Sequence, residues 1–74
     1  HVYVPEGKEV KKHLHKNGWE YFIPQSTLEL EVNERGFRTS KMVAVRPGQS
    51  HAVKGEQEFY LVKACEGVFD KEML

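Results

Sequence analysis

Apolar and polar residues alternate along much of this chain with a period of two, the signature of β-strands that bury one face. The cleanest case runs from Thr27 to Val32, where Leu28, Leu30 and Val32 are set to face a core and Glu29 and Glu31 to face water. Trp19 to Ile23 and Gln57 to Cys65 are apolar on both faces. In the first, Glu20 and Phe22 oppose Trp19, Tyr21 and Ile23; in the second, Phe59, Leu61 and Cys65 oppose Tyr60, Val62 and Ala64. Such strands are covered twice, by a core within and by another sheet or subunit outside. Shorter extended runs are predicted at His1 to Val4, Glu9 to His15, Phe37 to Thr39, Lys41 to Val45 and His51 to Val53. Gly, Pro, Asn and Ser separate them, at Pro5-Glu6-Gly7, Lys16-Asn17-Gly18, Pro24-Gln25-Ser26, Asn33 to Gly36, Arg46-Pro47-Gly48, Lys54-Gly55-Glu56 and Glu66-Gly67. No stretch of helical periodicity interrupts this series. The chain therefore reads as all-β, with its many strand edges managed by closure into a barrel or sandwich.

One strand is at odds with its own pattern. Strict alternation from Glu9 to His15 puts Glu9, Lys11, His13 and His15 on one face and Val10, Lys12 and Leu14 on the other. An ordinary half-buried strand would bury Val10 and Leu14 and leave both histidines in solvent. Only a polar, ligand-lined interior reverses that expectation. His13 and His15 would then share a face roughly 7 Å apart at the Cα level, a chelating arrangement. Glu20 opens the next strand and returns beside them, and His51 follows the Pro47-Gly48 turn. Three imidazoles and one carboxylate suit Zn, Fe, Ni, Cu or Mn. The competing reading makes these surface histidines on a lysine-rich strand and a salt-bridged glutamate.

Size sharpens the choice. A chain of 74 residues buries only about 60% of its unfolded surface and leans on a disulfide, a metal or a partner. Cys65 is the single cysteine, so no disulfide forms within one chain. It is read as a small buried hydrophobe, and a lone cysteine fits a reducing, cytoplasmic compartment. Eleven basic and eleven acidic residues are interspersed, which argues against nucleic acid as a partner. No apolar run is long enough for a membrane span. Trp19, Tyr21 and Tyr60 on outward faces point to a homodimer. Ser-His-Asp order, a phosphate-cradling glycine loop and a CxxC pair are all missing, so nucleophilic and nucleotide-dependent chemistries have no support.

In this setting the chain resembles the cupin superfamily. Gly7, five residues, His13-x-His15, four residues and Glu20 fit the first cupin motif, and Gly48-Gln49-Ser50-His51 fits the second. Thr27 stands where the first motif closes on Gly, and Gly55 where the second ends in Asn; neither position holds a ligand. The resemblance implies a small antiparallel double-stranded β-helix, a jelly-roll barrel, over a single domain spanning residues 1–74 with its core at about 5–65 and a tail at 66–74. It implies a divalent metal held by His13, His15, Glu20 and His51, and dimerisation through the sheets. Phe22, Met42 and Phe59 are candidates to line the pocket of a small-molecule ligand. The function expected is a metal-dependent enzyme of oxygenase, isomerase or lyase type acting on a small polar metabolite. The alternative is a non-catalytic module for ligand binding or dimerisation.

Overall fold

The computed structural model describes residues 1–65 and 67–74 and is built from nine strands. In chain order they are β1 (Val2–Val4), β2 (Glu9–Leu14), β3 (Gly18–Pro24), β4 (Leu28–Val32), β5 (Arg35–Thr39), β6 (Val43–Val45), β7 (His51–Lys54), β8 (Gln57–Cys65) and β9 (Glu72–Met73). They form two antiparallel sheets, one ordered β1-β8-β3-β6 and the other β5-β4-β7-β2-β9. The sheets are separate rather than joined into one closed barrel, an arrangement compatible with a β-sandwich. The first eight strands pair in a nested series: β4 with β5, β3 with β6, β2 with β7 and β1 with β8. Successive pairs fall in alternate sheets, as if one long hairpin had been rolled up. No helix is long and apolar enough to cross a membrane.

Local sequence explains the connections. β4 and β5 join through Asn33 and Glu34, both at positive φ (51° and 65°), with Val32 and Arg35 already paired. Two left-handed residues match the twist of the flanking strands, which makes the loop shorter than the predicted Asn33 to Gly36 turn. At Arg46 to Gln49, Pro47 precedes Gly48 at φ 86°, and the Gln49 amide donates to the Arg46 carbonyl at 3.2 Å. That is the chemistry of a type II turn, where the third residue must tolerate positive φ. The predicted Glu66-Gly67 turn includes Glu66, which lies outside the described residues.

The interior is filled by Val4, Phe22, Leu28, Leu30, Val45, Val53 and Phe59. Phe22 and Phe59 come from the four-stranded sheet, Leu28, Leu30 and Val53 from the five-stranded one, so the core is the seam between them. Burying one such side chain contributes about 1.5–3 kcal/mol, and a short list of this kind leaves the domain dependent on other interactions. On β3 and β8 the outward faces carry Trp19, Ile23, Tyr60 and Val62, all exposed, and Tyr21, half-buried. The two sides of these strands therefore divide as their sequences predict. Cys65 does not: it ends β8 in an exposed position instead of a buried one, at the end of the strand where it pairs with Gly18.

Candidate metal centre

The contradiction in β2 is resolved by a β-bulge. Val10 pairs with Val53 and His13 with His51, so three steps along β2 match two along β7. The extra residue shifts the phase of alternation, and Val10 ends up on the same face as His13 and His15. Strict alternation had set Val10 opposite them. Val10 packs against the apolar core, both histidines turn into the interior, and Leu14 stays half-buried on the other side.

Four buried side chains converge there. His13, His15, Glu20 and His51 are 5%, 6%, 3% and 1% exposed, and each presents a ligand atom within 4.8 Å of all the others. His13 and His51 are direct cross-strand neighbours, while Glu20 comes from β3 of the facing sheet. The cluster thus bridges the two sheets. The turn before His51 is tied to the same place, since the Gly48 amide donates to the His15 carbonyl at 2.7 Å.

Backbone carbonyls orient all three rings. His13 Nδ1 faces the Lys11 carbonyl at 2.7 Å, His51 Nδ1 faces that of Gln49 at 3.2 Å, and His15 Nδ1 faces that of Asp70. A carbonyl only accepts, so each Nδ1 carries the proton and donates it, which leaves Nε2 with a bare lone pair in the neutral ring. Glu20 Oε1 lies 2.9 Å from His15 Nε2 and 2.6 Å from His51 Nε2. None of these three atoms has a hydrogen-bond partner of acceptable geometry. Lone pairs so close in a buried site repel unless a positive charge sits among them. A proton on one ring would relieve one contact; a divalent ion would satisfy the whole set, and the carbonyl-held rings match the way metal-bound histidines are oriented. The donor set fits such an ion.

The electrostatics agree. Burial, the largest influence, pushes the His13 pKa below its ordinary 6.5, and the charges of His51, Lys71 and His15 add to this while the Lys11 carbonyl opposes it. Burial, the largest influence, would raise the Glu20 pKa, but when the rings are protonated the contact with His51 and the charges of the three imidazolium groups together outweigh it and the net shift is downward. The ionised carboxylate and the neutral imidazole are the forms that bind metal.

A cavity of about 160 Å³ adjoins the four ligands, lined also by Phe22, Phe59, Leu61, Val53, Lys63 and Lys71. Phe22 and Phe59 are among its lining residues. Met42 does not line it: β6 begins only at Val43, opposite Phe22, and Met42 lies beyond the strand end, 59% exposed.

The C-terminal tail supplies parts that the sequence reading leaves unassigned. β9 pairs with β2, His13 facing Met73 and Leu14 facing Glu72. Asp70 Oδ1 accepts from the amides of Lys16 and Asn17 at 2.9 and 3.4 Å, and the Asn17 side chain accepts from the Asp70 amide at 3.1 Å. These bonds fix the Asp70 carbonyl against His15. Phe69 stacks on the His15 ring with centroids 4.1 Å apart. Gly18 makes room for it, since a Cβ at that position would lie 2.6 Å from the Phe69 ring and 2.6 Å from Cys65 Cβ. Close approach, rather than a left-handed turn, is what this glycine serves. Lys63 carried a signal, since it follows Phe59 and Leu61 on the inward face of β8; Phe69, Asp70 and Lys71 carried none.

No family model matches the chain, and no curated protein matches it.

Proposed function

We propose that this chain is a small cupin-type protein that holds one divalent metal ion through the Nε2 atoms of His13, His15 and His51 and a carboxylate oxygen of Glu20, and uses it on a small polar metabolite. One observation carries the reading: His15 Nε2, His51 Nε2 and Glu20 Oε1 are close together, buried and without hydrogen-bond partners, and the other nitrogens of the two rings are committed to carbonyls. The nested pairing of β1 through β8 supports a double-stranded β-helix, because a rolled-up hairpin is how a jelly roll is wound. The ion, when bound, would supply Lewis acidity or a site for a small reactant. Around it, Glu20 would offset part of its charge, the three carbonyls would hold the imidazoles in their binding tautomer, and Phe22 and Phe59 would exclude water from one side of the cavity.

A non-catalytic ligand-binding module is the second reading. It is favoured by the cavity lining, which among the described residues offers only Lys63 and Lys71, and no carboxylate, phenol or imidazole, beyond the four ligands as general acid or base. We further propose that a second copy of the chain covers the Trp19, Tyr21, Ile23, Tyr60 and Val62 face, which sedimentation of the parent and of Tyr60→Glu at micromolar concentration tests; a monomeric parent removes this part.

Elemental analysis of protein purified without a metal-affinity step, repeated on His51→Ala, tests the central claim. Near-stoichiometric metal in the parent and its loss in the variant are expected. A metal-free parent that takes up neither zinc nor manganese at micromolar concentration overturns it.

A further inference from the structure

Given that metal site, we propose that the adjoining cavity binds a small aliphatic carboxylate, its anionic head between the metal and the ammonium groups of Lys63 and Lys71 and its carbon chain against Phe22, Val53, Phe59 and Leu61.

Charge is the first argument. The whole protein is neutral, with eleven basic and eleven acidic residues, yet the cavity is lined by two lysines and by Glu20 as its one described acid. Three neutral imidazoles, one carboxylate and a divalent ion sum to one positive charge, and the lysines bring the total to three. Low-dielectric walls focus such a field and raise the local concentration of anions. Two other lysines are paired, Lys12 with Glu34 at 3.1 Å and Lys16 with Glu72 at 3.0 Å, and neither of these lines the cavity. Among the described residues Lys63 and Lys71 have no carboxylate within 4.0 Å.

Placement is the second. Lys63 is the Cα partner of Glu20 across β3 and β8, on the inward side of the strand after Phe59 and Leu61. Its Nζ lies 5.1 Å from the centre of the Phe69 ring, the ring that stacks on His15. Lys71 reaches the cavity from the tail that pairs with β2 beside His13. Lys63 thus belongs to the four-stranded sheet, and Lys71 immediately precedes the last strand of the five-stranded one.

Shape is the third. Away from the metal the walls are apolar, which suits a carbon chain and gives nothing to an inorganic oxyanion. A volume of about 160 Å³ leaves room for a short-chain acid.

The test is calorimetric titration of manganese-loaded protein with acetate, propionate and butyrate, with butyramide and inorganic phosphate as controls. Metal content is measured in every sample, on the parent and on Lys63→Gln, Lys71→Gln and the double variant. Affinity is expected to rise about threefold to fourfold per added methylene, and butyrate to bind at least tenfold tighter than butyramide or phosphate. The double variant is expected to lose at least tenfold in butyrate affinity while keeping its metal, and each single variant to lose less. Circular dichroism of the variants confirms that they fold, which substitution at two exposed lysines leaves intact. Metal-loaded protein that binds butyrate no better than butyramide, or equally well in the double variant, overturns this inference alone. Phosphate binding as tightly as butyrate overturns the aliphatic part and with it the proposal. A parent that cannot be loaded with metal overturns both this inference and the metal-binding reading beneath it.

Discussion

β2 and β4 flank the same strand, β7, in the same sheet, and both send side chains into the same interior. β4 does so with Leu28 and Leu30, fully buried, and its glutamates turn outward as simple alternation requires. β2 instead delivers Val10, His13 and His15 to one side by means of a bulge, and relegates Leu14 to the other. The β4 end of the interior is held by dispersion and the hydrophobic effect, which need no outside component. The β2 end concentrates three imidazoles and a carboxylate whose facing atoms repel until a cation joins them. One small domain thus pairs an apolar end with an end whose buried donor atoms fit a cation.

The largest expected effect separates these ends by metal removal. At free metal a thousandfold above Kd, binding adds about 4 kcal/mol, and for a domain of this size each kcal/mol moves Tm by about 4–8 °C. Chelation should therefore lower Tm by about 15 °C or more in the parent and have no effect in His51→Ala, as read by calorimetry. An equal response in both proteins would remove the distinction between the ends.

Leu30→Ala addresses the other end. It should cost about 2–5 kcal/mol while the molar ratio of bound metal stays unchanged in the folded protein. Loss of metal along with stability would mean that the two ends are a single cooperative unit.

The bulge can be tested directly. Deleting Lys12 leaves two steps along β2 against two along β7, which keeps Val10 and His13 on the interior side but removes the carbonyl placement that orients His13. A loss of metal affinity of about tenfold to a hundredfold is expected, as for other orienting partners of ligands, with the fold retained by circular dichroism. Unchanged affinity would show that the bulge sets only the phase of the strand.

Acid should act on one end alone, and by the smallest amount. The His13 pKa is lowered from 6.5, so in the metal-free protein its contribution to stability is complete above about pH 6.5 and is lost as pH falls from there through the depressed folded value. The Glu20 pKa is lowered from 4.5, so its contribution is complete above about pH 4.5 and is lost at lower pH through its own folded value. Nothing on the inward face of β4 titrates. Tm measured against pH should fall from pH 7 to pH 5 in the parent and in Leu30→Ala alike, and less steeply in His13→Asn. A parallel slope in His13→Asn would contradict the assignment.

Much of this was open to reading because strands print their two faces on the sequence. β3, β4 and β8 follow period-two alternation without interruption, and the sides of Phe22, Leu28, Leu30, Phe59, Trp19 and Tyr60 were legible for that reason. The spacing of His13, His15, Glu20 and His51 named a candidate ligand set because residue type and strand parity suffice to suggest it.

The sequence alone determined the all-β class, the turns at Asn33 and Gly48 and the leucine face of β4, which depend on interactions within a few residues, and it named His13, His15, Glu20 and His51 as candidates by residue type and spacing. Tertiary structure alone decided which way β2 faces, because a bulge is a mismatch between two strands and leaves no mark on either one separately. It alone placed Cys65 and Met42 outside, since covering a strand end depends on where other strands stop. It alone brought the Asp70 carbonyl onto His15, a contact across 55 positions, and the Phe69 ring beside it. No local preference encodes it, because a backbone carbonyl is the same in every residue and only the path of the chain makes one of them an orienting partner.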